Sequence, residues 1–371
     1  MKKRRLLILM TAIQLMITTL ASCGGSETGT QTIGTQTPAE TQRPADPDLK
    51  EKRAKTQVGA WYSLWYDGTD ENSFWETVKN DYGEPIPILY KPLLPDGTFG
   101  RYDSGDDAVI QYHIEEIASA GIDFLIFDQT NDIDARNAQG TWINNNSLKV
   151  AKAISAWNKV EGHRQLRYCS AVGAFATINN DYSIIESEAN KLYVRYITKE
   201  WGSEENHVYV DGKPLLVIFT ITQEQWEAYA ATHDTKYTDR FTLRFALGHA
   251  YDPGLWGWVI PKAQVTEDVV TINPGWFKLN HPLEKVYRNR GETYRSQWET
   301  ILSSDITPDF IVINSINEYA EQTAIWPADT SDFPADNPVE RWLNPEGEED
   351  PYLYWNMTKL YIQKYRNGDT K

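Results

Sequence analysis

The sequence of 371 residues predicts an α/β fold of the (β/α)8 TIM-like barrel type, built as one domain, and three observations point there. Eight short apolar runs recur after residue 57, most of them ending in polar or aromatic side chains. Segments with helical spacing lie between several of these runs. About 314 residues hold them all, long for one simple core and ordinary for a barrel. Strands buried on both faces read as continuous apolar runs, and their alternation with helices argues for a parallel sheet.

The first 22 residues stand apart from that pattern. Lys2, Lys3, Arg4 and Arg5 precede an apolar stretch, the layout of a secretory signal rather than of a mature membrane span. Leu20, Ala21, Ser22 and Cys23 resemble the lipobox of bacterial lipoproteins, which implies lipidation of Cys23 after cleavage and a protein held at the bacterial cell surface. Residues 23–57 are rich in Thr, Gly, Gln, Pro and Glu; without bulky apolar side chains they cannot offset the entropy of folding, and a tether is expected. The barrel domain is expected over 58–371. Cys169 is the only cysteine beyond the lipobox; it lies in an apolar run and reads as a small core residue.

The apolar runs follow in order: "VGAWYSLWY" (58–66), "DFLIFD" (123–128), "LRYCSAVGAF" (166–175), "PLLVIFTI" (214–221), "FTLRFALGH" (241–249), "LWGWVI" (255–260), "DVVTINPGW" (268–276) and "DFIVINSINE" (309–318). Between them, 108–121 places Ile110, Ile114, Ile117 and Ala118 on one helical face, with Gly121 as a stop. Asp106 or Asp107 suits its N-cap. His113 falls on the same apolar stripe, which favours a core histidine over a catalytic one. Further helices are expected at 146–160, 181–201, 222–232, 292–304 and 352–366. Between 249 and 268 there is too little chain for full helices, so an irregular barrel wall is expected there.

In such a barrel the strands' C-terminal ends carry the chemistry. Glu318 and Glu321 follow the last apolar run three residues apart. If the chain turns helical after Asn317, their Cβ atoms lie about 5–6 Å apart; in a continuing strand they face opposite ways. Carboxylates that close suit retaining glycoside hydrolysis, because repulsion keeps one protonated beside an ionised partner. The same spacing is also common on solvated helix faces. Asp128 closes a buried run and has two open roles, bonding a sugar hydroxyl or bonding the next loop's amides; Asn131 shares its fate. Trp65, Tyr66, Trp256, Trp258, Trp276 and Trp326 sit at or beyond strand ends, where rings can stack on sugar faces.

The stretch "NEYAEQTAI" (317–325) with the preceding "PDFIVINSI" resembles the GH99-like glycoside hydrolases, relatives of endo-α-mannosidases in the broader GH71/GH99-like group. The likeness extends to "GAWYSLWY", "GRYDSGDDAVIQYHIEEIASAGIDFLIFD", "GKPLLVIF" and "GETYRSQWETIL". It implies that Glu321 is the acid/base for the glycosidic oxygen. It also implies that Glu318 is the base that helps the substrate's 2-hydroxyl displace the leaving group through an anhydro-sugar. Asn317 and Tyr319, inside the motif, join Asp128, Asn131, Trp65, Tyr66, Trp256 and Trp276 as expected substrate contacts. One departure stands out: where the family has Ser-Trp-Tyr, this chain has Asp128, Gln129 and Thr130, which bears on sugar identity.

The function so implied is an anchored, endo-acting, retaining glycosidase cutting a mannan-like or related α-linked glycan. The alternatives are a glycan-capturing lipoprotein and an α-glucanase. A net charge of −16, more negative once the basic signal is removed, excludes nucleic acid and anionic lipid as partners. The membrane contact expected is the N-terminal lipid alone, and the protein is expected to be a monomer. No metal motif and no phosphate-binding glycine loop follows any run, so neither a metal nor another cofactor is expected.

Overall fold

A computed structural model describes residues 47–79, 83–86, 88–130, 138–174, 179–198, 206–248, 254–258, 262–280, 284–334 and 339–370. The signal segment, Cys23 and Asn131 lie outside the described residues. One compact unit spans Arg43–Lys371. The tether expected up to residue 57 ends earlier. Helix α1 (Pro47–Arg53) is fastened at its end by buried Arg53, which donates to the carbonyls of Leu302 and Asp369 at 2.9 and 2.7 Å. Composition hid this, because one buried arginine anchors a helix that is otherwise mostly charged.

Seven parallel strands form the body of the sheet, and a two-residue antiparallel strand, Tyr209–Val210, pairs with the fourth of them: β1 (Gln57–Tyr62), β2 (Phe124–Asp128), β3 (Arg167–Gly173), β4 (Lys213–Phe219), β5 (Thr242–Ala246), β6 (Val269–Ile272) and β7 (Phe310–Ile313). Their spatial order is β5-β4-β3-β2-β1-β7-β6, with Trp61 level with Ile126 and Ala60 with Ile313. Side chains alternate between two cores. Trp61, Ile126, Cys169, Ala171, Val217 and Val312 fill the curled sheet's interior. Tyr62, Leu125, Tyr168, Leu216, Ile272 and Ile311 face the surrounding helices. Gly59 is required in β1, since a Cβ there would lie 2.1 Å from the ring of Phe124, which crosses the barrel floor.

The run at 255–260 is not a regular strand; its described part, 255–258, fills the seam between β5 and β6. The Trp256 and Trp258 amides donate to the carbonyls of Phe245 and Leu247, at 2.9 and 3.1 Å. On the other side the bonds are made by side chains: Thr271 Oγ1 reaches the Leu255 carbonyl at 3.2 Å, and Asn314 Nδ2 donates to that of Trp258. Arg244 of β5 grips Asp268, just before β6, through Nε and Nη2. The irregular wall expected here is thus a parallel rung on one side only.

All six expected helices form: α2 (Asp107–Ser119), α3 (Ala138–Trp157), α4 (Ser183–Leu192), α5 (Gln223–Ala230), α6 (Glu292–Leu302) and α7 (Leu353–Asn367). The α2 cap is Asp106, which accepts from the amides of Ala108 and Val109. His113 is a core residue, bonded through Nδ1 to the Tyr62 hydroxyl at 2.8 Å, and burial pushes its pKa down to about 3. Cys169 is a buried free thiol.

Candidate active site

Beyond β7 the peptide Asn314–Ser315 is cis, and the chain makes a turn rather than the helix considered above. Ser315 Oγ accepts from the Glu318 amide at 2.9 Å and pairs with Thr323 Oγ1 at 2.9 Å. The Glu318 carbonyl accepts from Thr323 and Ala324 at 3.0 and 3.1 Å. Residues 318–324 are therefore closed on themselves, with Gln322 in the left-handed region at φ 60°.

The two glutamates leave this turn in different states. Glu318 is 2% exposed and folds back so that Oε1 accepts from the Ala320 and Glu321 amides at 2.6 and 3.0 Å. Burial is the largest cause that pushes its pKa up to about 8, and the nearby Glu321 and Asp128 charges add to it; the two amide bonds oppose the rise. The phenols of Tyr66 and Tyr102, which also face it, are held well above their ordinary range by burial and remain neutral. Burial and the neighbouring charges thus favour the protonated form of Glu318.

Glu321 is the open member, its side chain 23% exposed. Oε2 accepts from the indole Nε1 of Trp258 at 2.6 Å and of Trp276 at 3.0 Å. Oε1 lies 3.1 Å from Lys278 Nζ. Glu321 therefore has three partners, two neutral indoles and one ammonium. Sequence reasoning named both tryptophans without this role and missed Lys278. The available signal was spacing: Trp276 and Lys278 are i and i+2 on extended chain, which puts both side chains on one face.

Asp128 ends β2 on the interior face, almost buried. Oδ1 accepts from Thr130 Oγ1 at 2.8 Å and the Thr130 amide at 3.2 Å, the loop-bonding alternative. Burial pushes its pKa up to about 6, Thr130 opposes this, and the Glu321 charge adds to it. The barrel mouth therefore brings together three carboxyl groups, two indoles and one ammonium.

Several expected substrate contacts are instead buried behind that mouth. Asn317 is a bridge: Oδ1 accepts from the Ser63 amide at 2.8 Å, and Nδ2 donates to the Ser63 carbonyl and the Tyr102 hydroxyl, each at 2.9 Å. The Tyr66 hydroxyl donates to the Asn317 carbonyl and accepts from the Tyr319 amide, and its ring stacks 4.0 Å from Trp75. Tyr319 packs against Tyr66, Trp75 and Tyr90. These residues support the glutamate turn from below and present no surface to a ligand. Trp256 belongs to the opposite end, its ring on Phe310 and Phe124, the first residues of β7 and β2. Trp326 is buried against His113 at 4.2 Å. Trp276 touches the carboxylate with its nitrogen while its ring stays in the core. Trp65 is mostly buried beside Phe74, at 5.8 Å. Position at a strand end does not say which way a side chain turns, and here most rings turn inward.

No protein-family model matches this chain, and no curated protein matches it. Solved structures do. The GH99 endo-alpha-mannosidase from Bacteroides thetaiotaomicron superposes with a TM-score of 0.54 at 15% sequence identity, over 84% of this chain and 98% of that one. The same enzyme in complex with bis-tris-propane gives a TM-score of 0.54 at 17% identity over the same shares. At these identities the likeness is one of fold, and it identifies the curled parallel sheet as a TIM-type barrel.

Proposed function

We propose that this protein is a glycoside hydrolase, retaining and endo-acting on an α-linked glycan, with Glu318 and Glu321 as its acid/base pair. One observation carries the reading: the two carboxyl groups share a turn at the C-terminal mouth of the barrel, one buried on two backbone amides and the other open and bonded by two indoles and an ammonium. Asymmetric pairs of this kind divide acid from base work near neutral pH. The fold likeness to an endo-alpha-mannosidase supports it.

With the site empty, burial favours a proton on Glu318. A glycosidic oxygen arriving at Glu321 Oε1 competes with Lys278 for that atom. The proposed roles require the proton to pass to Glu321 when the glycan binds, leaving Glu318 as the base. Glu318 then takes the proton of the substrate's 2-hydroxyl, whose oxygen attacks the anomeric carbon. The bond to the leaving oxygen breaks as Glu321 protonates it. Water opens the anhydro-sugar in the reverse sense, and configuration is retained. Asp128, at the place where the resembling family carries an aromatic stretch, accepts from a sugar hydroxyl. Lipidation at Cys23 holds the enzyme at the outer face of the membrane.

Digestion of a panel of α-linked polysaccharides, with sizing of the products, tests the reading. Oligosaccharides of internal cleavage are expected from one member of the panel. Binding to a glycan without any product from it would instead make the protein a capture lipoprotein.

A further inference from the structure

We infer that Arg288 is a positioning residue for Glu321, acting through the backbone of the glutamate turn and the loop that grips it. The inference rests on the reading of Glu321 as half of an acid/base pair. Arg288 is buried, 3% exposed. Its Nη2 donates to the carbonyls of Gln322 and Ala324 at 2.7 and 2.8 Å, the residues just after Glu321. The guanidinium packs on two rings, 4.9 Å from Trp342 and 4.4 Å from Tyr354. Nε and Nη1 have no partner among the described residues.

A buried cation with unused donors is a costly way to fill space, and apolar side chains of the same volume do that better. What an apolar side chain cannot do is hold two carbonyls at once. Arg288 also reaches the other side of the site. A Cβ on Gly275 would lie 2.6 Å from Arg288 Cγ, so the stem packs on the loop that carries Trp276 and Lys278. That loop is tied to the segment entering Arg288 by paired amide bonds between Trp276 and Val286, both 2.9 Å. It is tied to the turn by the Phe277 amide on the Glu321 carbonyl at 3.1 Å. Arg288 therefore fixes the height of Glu321 against the two indoles and the ammonium that bond it. A lysine in its place reaches one carbonyl as a point charge and lacks the planar fork.

The test is Arg288→Lys, with Gly275→Ala as a second variant whose Cβ presses on both the Arg288 stem and the Val286 carbonyl. Two readouts are taken: steady-state kinetics on the glycan that the wild type cleaves, and the ¹⁵N-indole resonances of Trp258 and Trp276, assigned by Trp→Phe changes. Both variants are expected to move both resonances and to lower kcat about 100-fold with KM within about threefold, the signature of a displaced catalytic group rather than of lost binding. Wild-type resonances and kcat in Arg288→Lys overturn the inference. So does a loss of activity that matches a loss of folded protein while the folded fraction keeps its wild-type resonances. If the wild type cleaves no glycan and the resonances still move, the hydrolase reading fails and the positioning role of Arg288 stands.

Discussion

Glu318 and Glu321 are the same residue type three positions apart, and their partners alone make them different. Glu318 has two backbone amides and little water; Glu321 has two indoles, an ammonium and an open side. Their place after the last apolar run made them legible as a pair in the sequence. The division between them was not, because the donors on Glu321 come from other loops, at Trp258, Trp276 and Lys278. The sign of the Glu318 shift has a stability consequence. Its pKa is raised from 4.5 to about 8, so the stabilisation tied to its protonated form is complete below 4.5 and is lost as pH rises through about 8. Glu318→Gln keeps the shape and never ionises. Its unfolding free energy is expected to exceed that of the wild type at pH 9 by on the order of a few kcal/mol, with the gap closing at pH 4. A gap of the same size at both pH values would mean that Glu318 does not titrate in this range.

At the scale of elements, seven of the eight apolar runs are strands, and the eighth shows where periodicity loses force. "LWGWVI" is apolar because Trp256 and Trp258 both point into the barrel, yet in its described part, 255–258, the bonds from backbone to backbone run to one side only. Apolar content reports burial, whereas a regular strand also needs a partner on its bonding edges. The two tryptophans alternate along the barrel axis as extended chain requires: Trp256 rests on the floor beside Phe310, and Trp258 lies at the mouth, 5.0 Å from Trp61 and bonded to Glu321. Their variants should separate accordingly. Trp256→Ala is expected to cost about 3–5 kcal/mol in denaturant unfolding, from the cavity left behind, with turnover of the folded fraction within a few-fold of wild type. Trp258→Phe is expected to change stability by only about 1 kcal/mol and to lower kcat roughly 10- to 100-fold through the lost indole donor. Equal loss of stability in both, with activity tracking it, would return Trp258 to plain core.

For the whole molecule, barrel class was legible from run count and chain length, because both follow from burying a parallel sheet on two faces. The start of the folded unit was not, since Arg53 anchors α1 by bonds to residues some 250 and 316 positions away, beyond the reach of composition. The proposed lipid anchor rests on the Leu20–Cys23 motif in the sequence. Cys23→Ala is therefore expected to move the protein from the membrane fraction to the soluble one; continued anchoring at unchanged mobility would refute lipidation there. The central claim, hydrolysis by the glutamate pair, is tested most directly by leaving-group dependence. Fluoride departs with little proton transfer, whereas a sugar alkoxide needs an acid. Glu321→Gln and Glu318→Gln are compared with the wild type on the natural glycan and on a glycosyl fluoride of the same sugar. Glu321→Gln is predicted to be nearly inactive on the glycan and to retain the first step on the fluoride, while Glu318→Gln loses roughly 10²- to 10⁴-fold on both. Near-wild-type rates for both variants on both substrates would contradict the account and leave Glu318 and Glu321 as structural residues of the turn.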